Sequence, residues 1–209
     1  MTSSKPARSG RVRRRDQVRA RILEIVERRL REGEAFSEIS VGRIVAEAGI
    51  SRTTFYVYFE DKTDLLRRWY GDVIEEITQA AQGWWTLDGT ISRKEVRAAL
   101  ERIVQAYRPY PELMAATHEA TGYDQPVREI VQAAMQRYID ALTEHIERGQ
   151  RAGFVDRTLP PEQTSYWLQW MAERGLHRMG RVREEEEVDR LIDAYAGIVW
   201  NTLYAPTQR

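Results

Sequence analysis

Residues 40–62 read SVGRIVAEAGISRTTFYVYFEDK. Ser40 can cap a short helix through Val41, Ile44, Val45 and Ala48, which Gly49 ends after barely two turns. Only Gly49, Ile50 and Ser51 separate it from a second helix that Ser51 caps, the spacing of a helix-turn-helix pair. That second helix is the candidate reader. It exposes Arg52, Thr53, Thr54 and Tyr56 near its N-terminal end, where a recognition helix meets base edges. Arg can form a bidentate pair with guanine, Thr offers a hydroxyl and a methyl for thymine, and Tyr reaches phosphate through its OH. Ser40, Arg43, Tyr58 and Lys62 fall at helix ends or just outside, where hydroxyls and cations would grip the phosphate backbone. Phe55 and Phe59 lie on the opposite face and are expected to lock the reader onto a core.

The flanking charge fits this reading. The 209-residue chain is neutral, with 32 Lys+Arg against 32 Asp+Glu, yet residues 1–60 hold 13 basic and 8 acidic groups. Residues 1–31 alone carry 11 basic and 3 acidic side chains, a footprint that attracts a polyanion such as duplex DNA. A solubilising tail would have the same composition. Residues 1–15 (MTSSKPARSGRVRRR) are expected to form a mobile basic arm. From Asp16 the apolar residues Val18, Ile22, Ile25, Val26 and Leu30 recur on one stripe, giving a first helix of about four turns that Gly33 closes. The expected division is an arm over 1–15, a helix-turn-helix unit over 16–62, and a second unit over 63–209.

Downstream, the pattern is helical throughout. Asp61 caps a stripe of Leu65, Leu66, Trp69, Val73, Ile77, Ala81 and Trp84. Ser92 and Glu95 form a capping box ahead of Val96, Leu100, Ile103 and Tyr107, and Pro109 and Pro111 end that helix. Asp124 and Pro126 restart a long helix that Gly149 and Gly153 close. Pro160 and Pro161 open an aromatic-rich helix, and a last one runs from Val188 to Leu203. No segment alternates strictly over a strand's length, so the fold class is all-α with about nine helices.

Several chemistries are excluded. With no Cys there is no disulfide, thiolate zinc site, iron–sulfur cluster or cysteine nucleophile. His118, His145 and His177 are scattered, without a second ligand at metal spacing. There is no phosphate-binding loop, no nucleophile elbow and no placed pair of carboxylates, so an enzyme reading has no positive support and no cofactor is expected. The four carboxylates Glu184 to Glu187 suit the positive end of a helix. No apolar run approaches a membrane span and no apolar leader follows the arginines, so a cytoplasmic location is expected.

The segment AGISRTTFYVYFEDKTDLL resembles the TetR-type transcriptional regulators, whose pattern runs Ala-Gly-Val/Ile-Ser, Thr-hydrophobic-Tyr, then Tyr/His-Phe and a Lys shortly after. The likeness covers about residues 20–66. The run RTLPPEQTSYWLQWMAER, with ISRTTFYVYF, is similar to an actinobacterial subgroup that controls ethionamide activation. The resemblance implies a homodimeric repressor with three N-terminal helices on a double-stranded DNA operator and six helices forming an effector pocket and dimer interface. It assigns DNA contact to Ser40, Arg43, Ser51, Arg52, Thr53, Thr54, Tyr56, Tyr58 and Lys62. Val45 departs from the family's usual Ala, and Thr53 from its Gly, Pro or Ala. For a small hydrophobic effector it places Val96, Ala99, Ile103, Tyr107, Met135, Tyr138, Leu142, Gln169, Trp170 and Trp200 on the pocket wall, with Gln169 or Tyr138 as a polar fixture. Each of these could equally be core packing. The last two helices would dimerise as a four-helix bundle. A dimeric ligand-binding or interaction module without operator recognition remains the alternative.

Overall fold

A computed structural model describes the backbone of residues 7–208 and the side chains of residues 17–205 and 207. Its helices are α1 (Ala7–Arg31), α2 (Val41–Ala48), α3 (Arg52–Tyr58), α4 (Lys62–Trp85), α5 (Arg93–Tyr107), α6 (Pro111–Ala120), α7 (Gln125–Ala152), α8 (Pro161–Met179) and α9 (Glu185–Leu203). A 3-10 turn, Phe36–Glu38, precedes α2, and no strand occurs among the described residues. The expectation of a mobile arm up to residue 15 is corrected in part. The first helix starts at Ala7 instead of Asp16, as a stretch rich in arginine, a good helix former, permits. Residues 1–6 lie outside the described part.

Caps set most boundaries. Ser40 Oγ accepts from Arg43 N at 3.3 Å, and Ser51 Oγ from Thr54 N at 3.0 Å. Gly49 takes φ 67° between them, a left-handed conformation that a side chain would disfavour, and so turns the chain from α2 into α3. Ser92 and Glu95 close the capping box at 2.8 and 3.3 Å, and Asp124 caps α7 through Val127 N at 2.9 Å. Gly149 is needed for close approach, since a Cβ there would meet Val155 Cγ2 at 2.3 Å.

One apolar cluster runs unbroken from the first helices into the body. It joins Ile22, Phe36, Ile44, Phe55 and Phe59 to Leu65, Leu66 and Val73 of α4, and continues to α6 and α7. A second cluster fills the far end, built on Trp84, Val96, Leu142, Ile146, Val199 and Tyr204. The 24-residue α4 is the shared axis, about 36 Å long at the α-helical rise. Both of its ends are tied. At the start, Asp61 accepts from Asp64 N at 2.5 Å while Asp64 accepts from Glu60 N at 3.0 Å and from Arg68 Nε at 3.0 Å. Burial alone would raise the Asp64 pKa, but the Arg68 and Glu60 bonds and the neighbouring guanidinium charges hold it below its ordinary value.

At the far end His145 is fully buried. Its Nε2 meets Tyr204 OH at 2.7 Å and its Nδ1 meets the Trp85 carbonyl at 3.1 Å, while Trp84 Nε1 donates to Tyr204 OH at 3.0 Å. Burial pushes the imidazole down to about 4, and the Trp85 carbonyl only partly opposes the shift. Glu185, expected only to complement its helix end, also binds Arg108, the C-cap residue of α5, at 2.7 and 2.9 Å. No described helix is long and apolar enough to cross a membrane.

Candidate functional site

Among the described residues no element covers the outer face of α3. Arg52, Thr53, Tyr56 and Val57 are exposed, with Tyr56 at 54% and Val57 at 64%, whereas Phe55 is at 0% and Phe59 at 2%. Phe55 sits 5.4 Å from Phe59, centroid to centroid, so the buried rings hold the helix while the opposite side faces solvent. The exposed valine and tyrosine give this face apolar surface beside the polar groups of Arg52 and Thr53. Val57 was not among the expected contacts; an apolar residue between two tyrosines on a reading helix was the available signal.

Several of the expected contacts are engaged within the protein. Ser51 Oγ and Thr54 Oγ1 are 2.8 Å apart, so part of their bonding capacity is used within the cap. Arg43 pairs with Glu34, which also binds Arg29 at 3.0 Å. Arg52 lies across Gly42, where a Cβ would come within 3.0 Å of Nη2. Tyr58 is half-buried. Lys62 differs most from expectation. Its Nζ donates to the carbonyls of Phe36 at 2.7 Å and Ser37 at 2.9 Å and stands 4.8 Å over the Phe36 ring. Burial lowers its pKa, partly offset by Glu119 and Glu34. In this conformation the ammonium clamps the 3-10 turn onto the start of α4, leaving one N–H for any outside anion.

Between α4, α5, α6, α7, α8 and α9 lies a cavity of about 330 Å³. Its wall includes Ile103, Tyr107, Met135, Tyr138 and Gln169, five of the ten residues expected there. The other five are elsewhere. Val96, Ala99 and Leu142 are buried in the second core cluster, and Trp200 packs against it. They lie on the right helices but toward the far end, a rotation that helical periodicity alone does not resolve. Trp170 is 41% exposed on the outer face of α8. It belongs to an apolar patch with Tyr166, Trp167 and Met171, and Ile198 of α9 is exposed as well.

The polar fixtures also move. Tyr138 OH is engaged by Thr78 Oγ1 at 3.0 Å and by the Ile74 carbonyl at 3.3 Å, so that hydroxyl is spent. Residues missed by sequence reasoning are Tyr70, Thr117, His118, Glu173 and His177, all on the wall. Thr117 is 2% exposed and its Oγ1 has no partner. The sequence signal was a lone hydroxyl in the run LMAAT of α6, on the side otherwise given to Leu113 and Met114. His118 and His177 come within 6.4 Å, ring to ring, but among the described residues no group of three or more His, Cys, Asp or Glu could hold a metal.

Two family models match the chain. Residues 28–68 match the tetR family of bacterial regulatory proteins, and residues 96–205, more than half of the chain, match the C-terminal domain of the transcriptional regulator EthR. The HTH-type transcriptional regulator EthR of Mycolicibacterium smegmatis is 26% identical over 212 residues, covering 98% of this chain and 96% of its own. That of Mycobacterium tuberculosis is 27% identical over 148 residues, 70% of this chain and 68% of its own. In fold, a TetR-family regulator from Syntrophomonas wolfei superposes with TM-score 0.70 at 16% identity, covering 91% of this chain and 98% of the other. A transcriptional regulator from Saccharomonospora viridis, in complex with choline, does so with TM-score 0.67 at 17% identity, covering 90% and 98%. With its capped two-helix reader and a C-terminal region of the EthR type, the chain belongs to the TetR family of DNA-binding transcriptional regulators.

Proposed function

We propose that this regulator is a repressor that binds a pseudo-palindromic operator as a homodimer and releases it when a small, mainly apolar effector enters the cavity. The exposed face of α3 carries the reading: Arg52, Thr53, Tyr56 and Val57 project from a helix fastened by Phe55 and Phe59. Arg52 suits guanine, Val57 a thymine methyl, and Tyr56 a phosphate or base edge. Ser40 and Arg43 at the start of α2 would set register on the backbone. Lys62 acts mainly by holding the 3-10 turn, with its remaining N–H open to phosphate.

One such helix makes few base contacts, and two copies about one DNA turn apart multiply specificity. The apolar patch of Tyr166, Trp167, Trp170 and Met171 on α8, with Ile198 on α9, fits a second copy of this chain across a two-fold axis. An occupied cavity would favour a different tilt of α4, which borders both the cavity and the α1–α3 unit, and so move the paired readers out of register.

Selection from a randomised duplex pool tests the reading. The expected product is an inverted repeat retained with strong salt dependence. Arg52→Ala and Tyr56→Ala should each weaken retention by about 1–3 kcal/mol with an unchanged helical spectrum. Enrichment of no sequence would leave the alternative, a dimeric ligand-binding module.

A further inference from the structure

α2 carries a glycine that its backbone does not require. Gly49, which turns the chain into α3, needs its φ of 67°, but Gly42, the second residue of α2, has no positive φ. Inside a helix glycine is a poorer former than alanine, so its presence there needs another reason. The space beside it supplies one. A Cβ on Gly42 would come 3.0 Å from Arg52 Nη2 and 3.9 Å from Arg52 Cζ, with Ser40 Oγ 3.8 Å from the same point. The guanidinium thus lies back from α3 across the first turn of α2, over the spot that the missing side chain leaves bare. Its charge is also unspent. Arg28, Arg29 and Arg43 in the same unit all pair with carboxylates, whereas the exposed Arg52 has no hydrogen-bond or ion-pair partner among the described residues.

We propose that Gly42 is a positioning residue for operator binding: it lets Arg52 lie beside Ser40 and so gives Arg52 to the phosphate backbone instead of to a guanine edge. The inference rests on reading the exposed side of α3 as the DNA-contacting surface, and it assigns one side chain of that surface its target. An arginine suits both targets, and its direction decides between them. To pair with guanine O6 and N7, Arg52 would have to extend forward from α3 with Thr53, Tyr56 and Val57. Lying across Gly42, it stands instead with Ser40 and Arg43, the side chains that set register on the backbone under the proposed function. Arg43 is already shared with Glu34, so the unpaired Arg52 is the more available cation of the set. Base reading then falls to Thr53, Tyr56 and Val57. An alanine at position 42 would meet only the free end of a flexible side chain, so it would push Arg52 away from Ser40 and leave the helix intact.

Anisotropy titration of the full chain with the duplex that the wild type selects from a randomised pool tests this, repeated between about 50 and 200 mM salt. Gly42→Ala should melt no lower than the wild type, since alanine is the better helix former, yet bind the duplex about tenfold more weakly per half-site, the worth of one charge-assisted hydrogen bond. The slope of log K against log salt should become shallower by about one unit per half-site while the selected sequence stays the same, as for any phosphate contact. Arg52→Ala should reproduce both effects, and adding Gly42→Ala to it should cost nothing further, because the glycine acts only through the guanidinium. Arg52→Lys should recover most of the affinity, since phosphate accepts a point charge whereas guanine needs the bidentate fork. Unchanged binding by Gly42→Ala, a further loss in the double variant, or a guanine position that Arg52→Ala ceases to select overturns the proposal, while α3 keeps its role as reader. If the wild type selects no sequence, the reading of α3 itself falls, and the inference with it.

Discussion

The α1–α3 unit and the body solve opposite packing problems with the same kind of helix. In the first, Phe36, Ile39, Ile44 and Phe55 are completely buried, and charges outside are cross-linked by Arg28, Arg29, Glu34 and Glu47. Besides the face of α3, the buried Arg29 Nε is left without a partner there. In the body, α4 to α9 surround a void of about 330 Å³ and leave Thr117 without a partner inside it. A solid unit has one favourable arrangement and can present side chains at fixed spacing. A hollow one forfeits dispersion contacts at its wall and so has neighbouring arrangements close in energy. Reading requires the first property and responding requires the second; α4 belongs to both.

Truncations on the two sides should therefore cost different amounts. Phe55→Ala removes a fully buried ring from the solid unit, where the neighbours Phe59 and Ile44 cannot close the gap, and should destabilise by about 3–5 kcal/mol in denaturant unfolding. Met135→Ala removes a side chain that already borders the cavity and should cost under about 2 kcal/mol, because its neighbours lose fewer contacts. Equal losses at the two positions would mean that the void closes in solution and that the contrast is false.

Acid should attack the far end of the body before the start of α4. His145 titrates near 4 when folded and near 6.5 when unfolded. Between those values the unfolded chain binds more protons, so stability is full above about pH 6.5 and declines as pH falls toward 4, by about 3 kcal/mol in total. Asp64 has its folded pKa lowered below 3.8, so its contribution persists through that window and is lost only at lower pH. Melting temperature against pH should show a decline from pH 6.5 to 4 that His145→Gln flattens. A decline that persists in the variant would assign it to other groups.

Legibility followed locality. The caps at Ser40, Ser51, Asp61, Ser92 and Asp124 involve groups three residues apart, and each formed where its spacing implied. The burial of Phe55 and Phe59 could be read the same way, from one face of one short helix. The cavity could not, because whether Leu142 or Met135 faces it depends on how α7 is rotated against α4 and α8. Both occupy the same apolar stripe; Leu142 went to the far core and Met135 to the wall. The hold of Lys62 on the 3-10 turn was hidden for a related reason. Its partners are carbonyls of a turn 25 and 26 residues away, which no spacing rule brings to it. Thr117 was visible as a hydroxyl out of place, but a lone threonine on a helix usually bonds its own backbone.

The smallest expected difference separates two serines with the same role. Ser51 caps the seven-residue α3 and Ser92 caps the fifteen-residue α5. Replacing either by Ala removes one accepted bond, worth about 1 kcal/mol. In α5 the helix is long and its inner face is fastened by Val96, Ala99 and Leu100, so the loss should be confined to fraying of the first turn. In α3 the cap serves almost the whole helix, and Phe55 is its one fully buried residue. Amide exchange measured by mass spectrometry should accelerate roughly fivefold throughout α3 in Ser51→Ala, and only over the first turn of α5 in Ser92→Ala. If α3 exchanges no faster than before, Phe55 alone fixes the reader, and Ser51 and Thr54 are free to turn their hydroxyls outward.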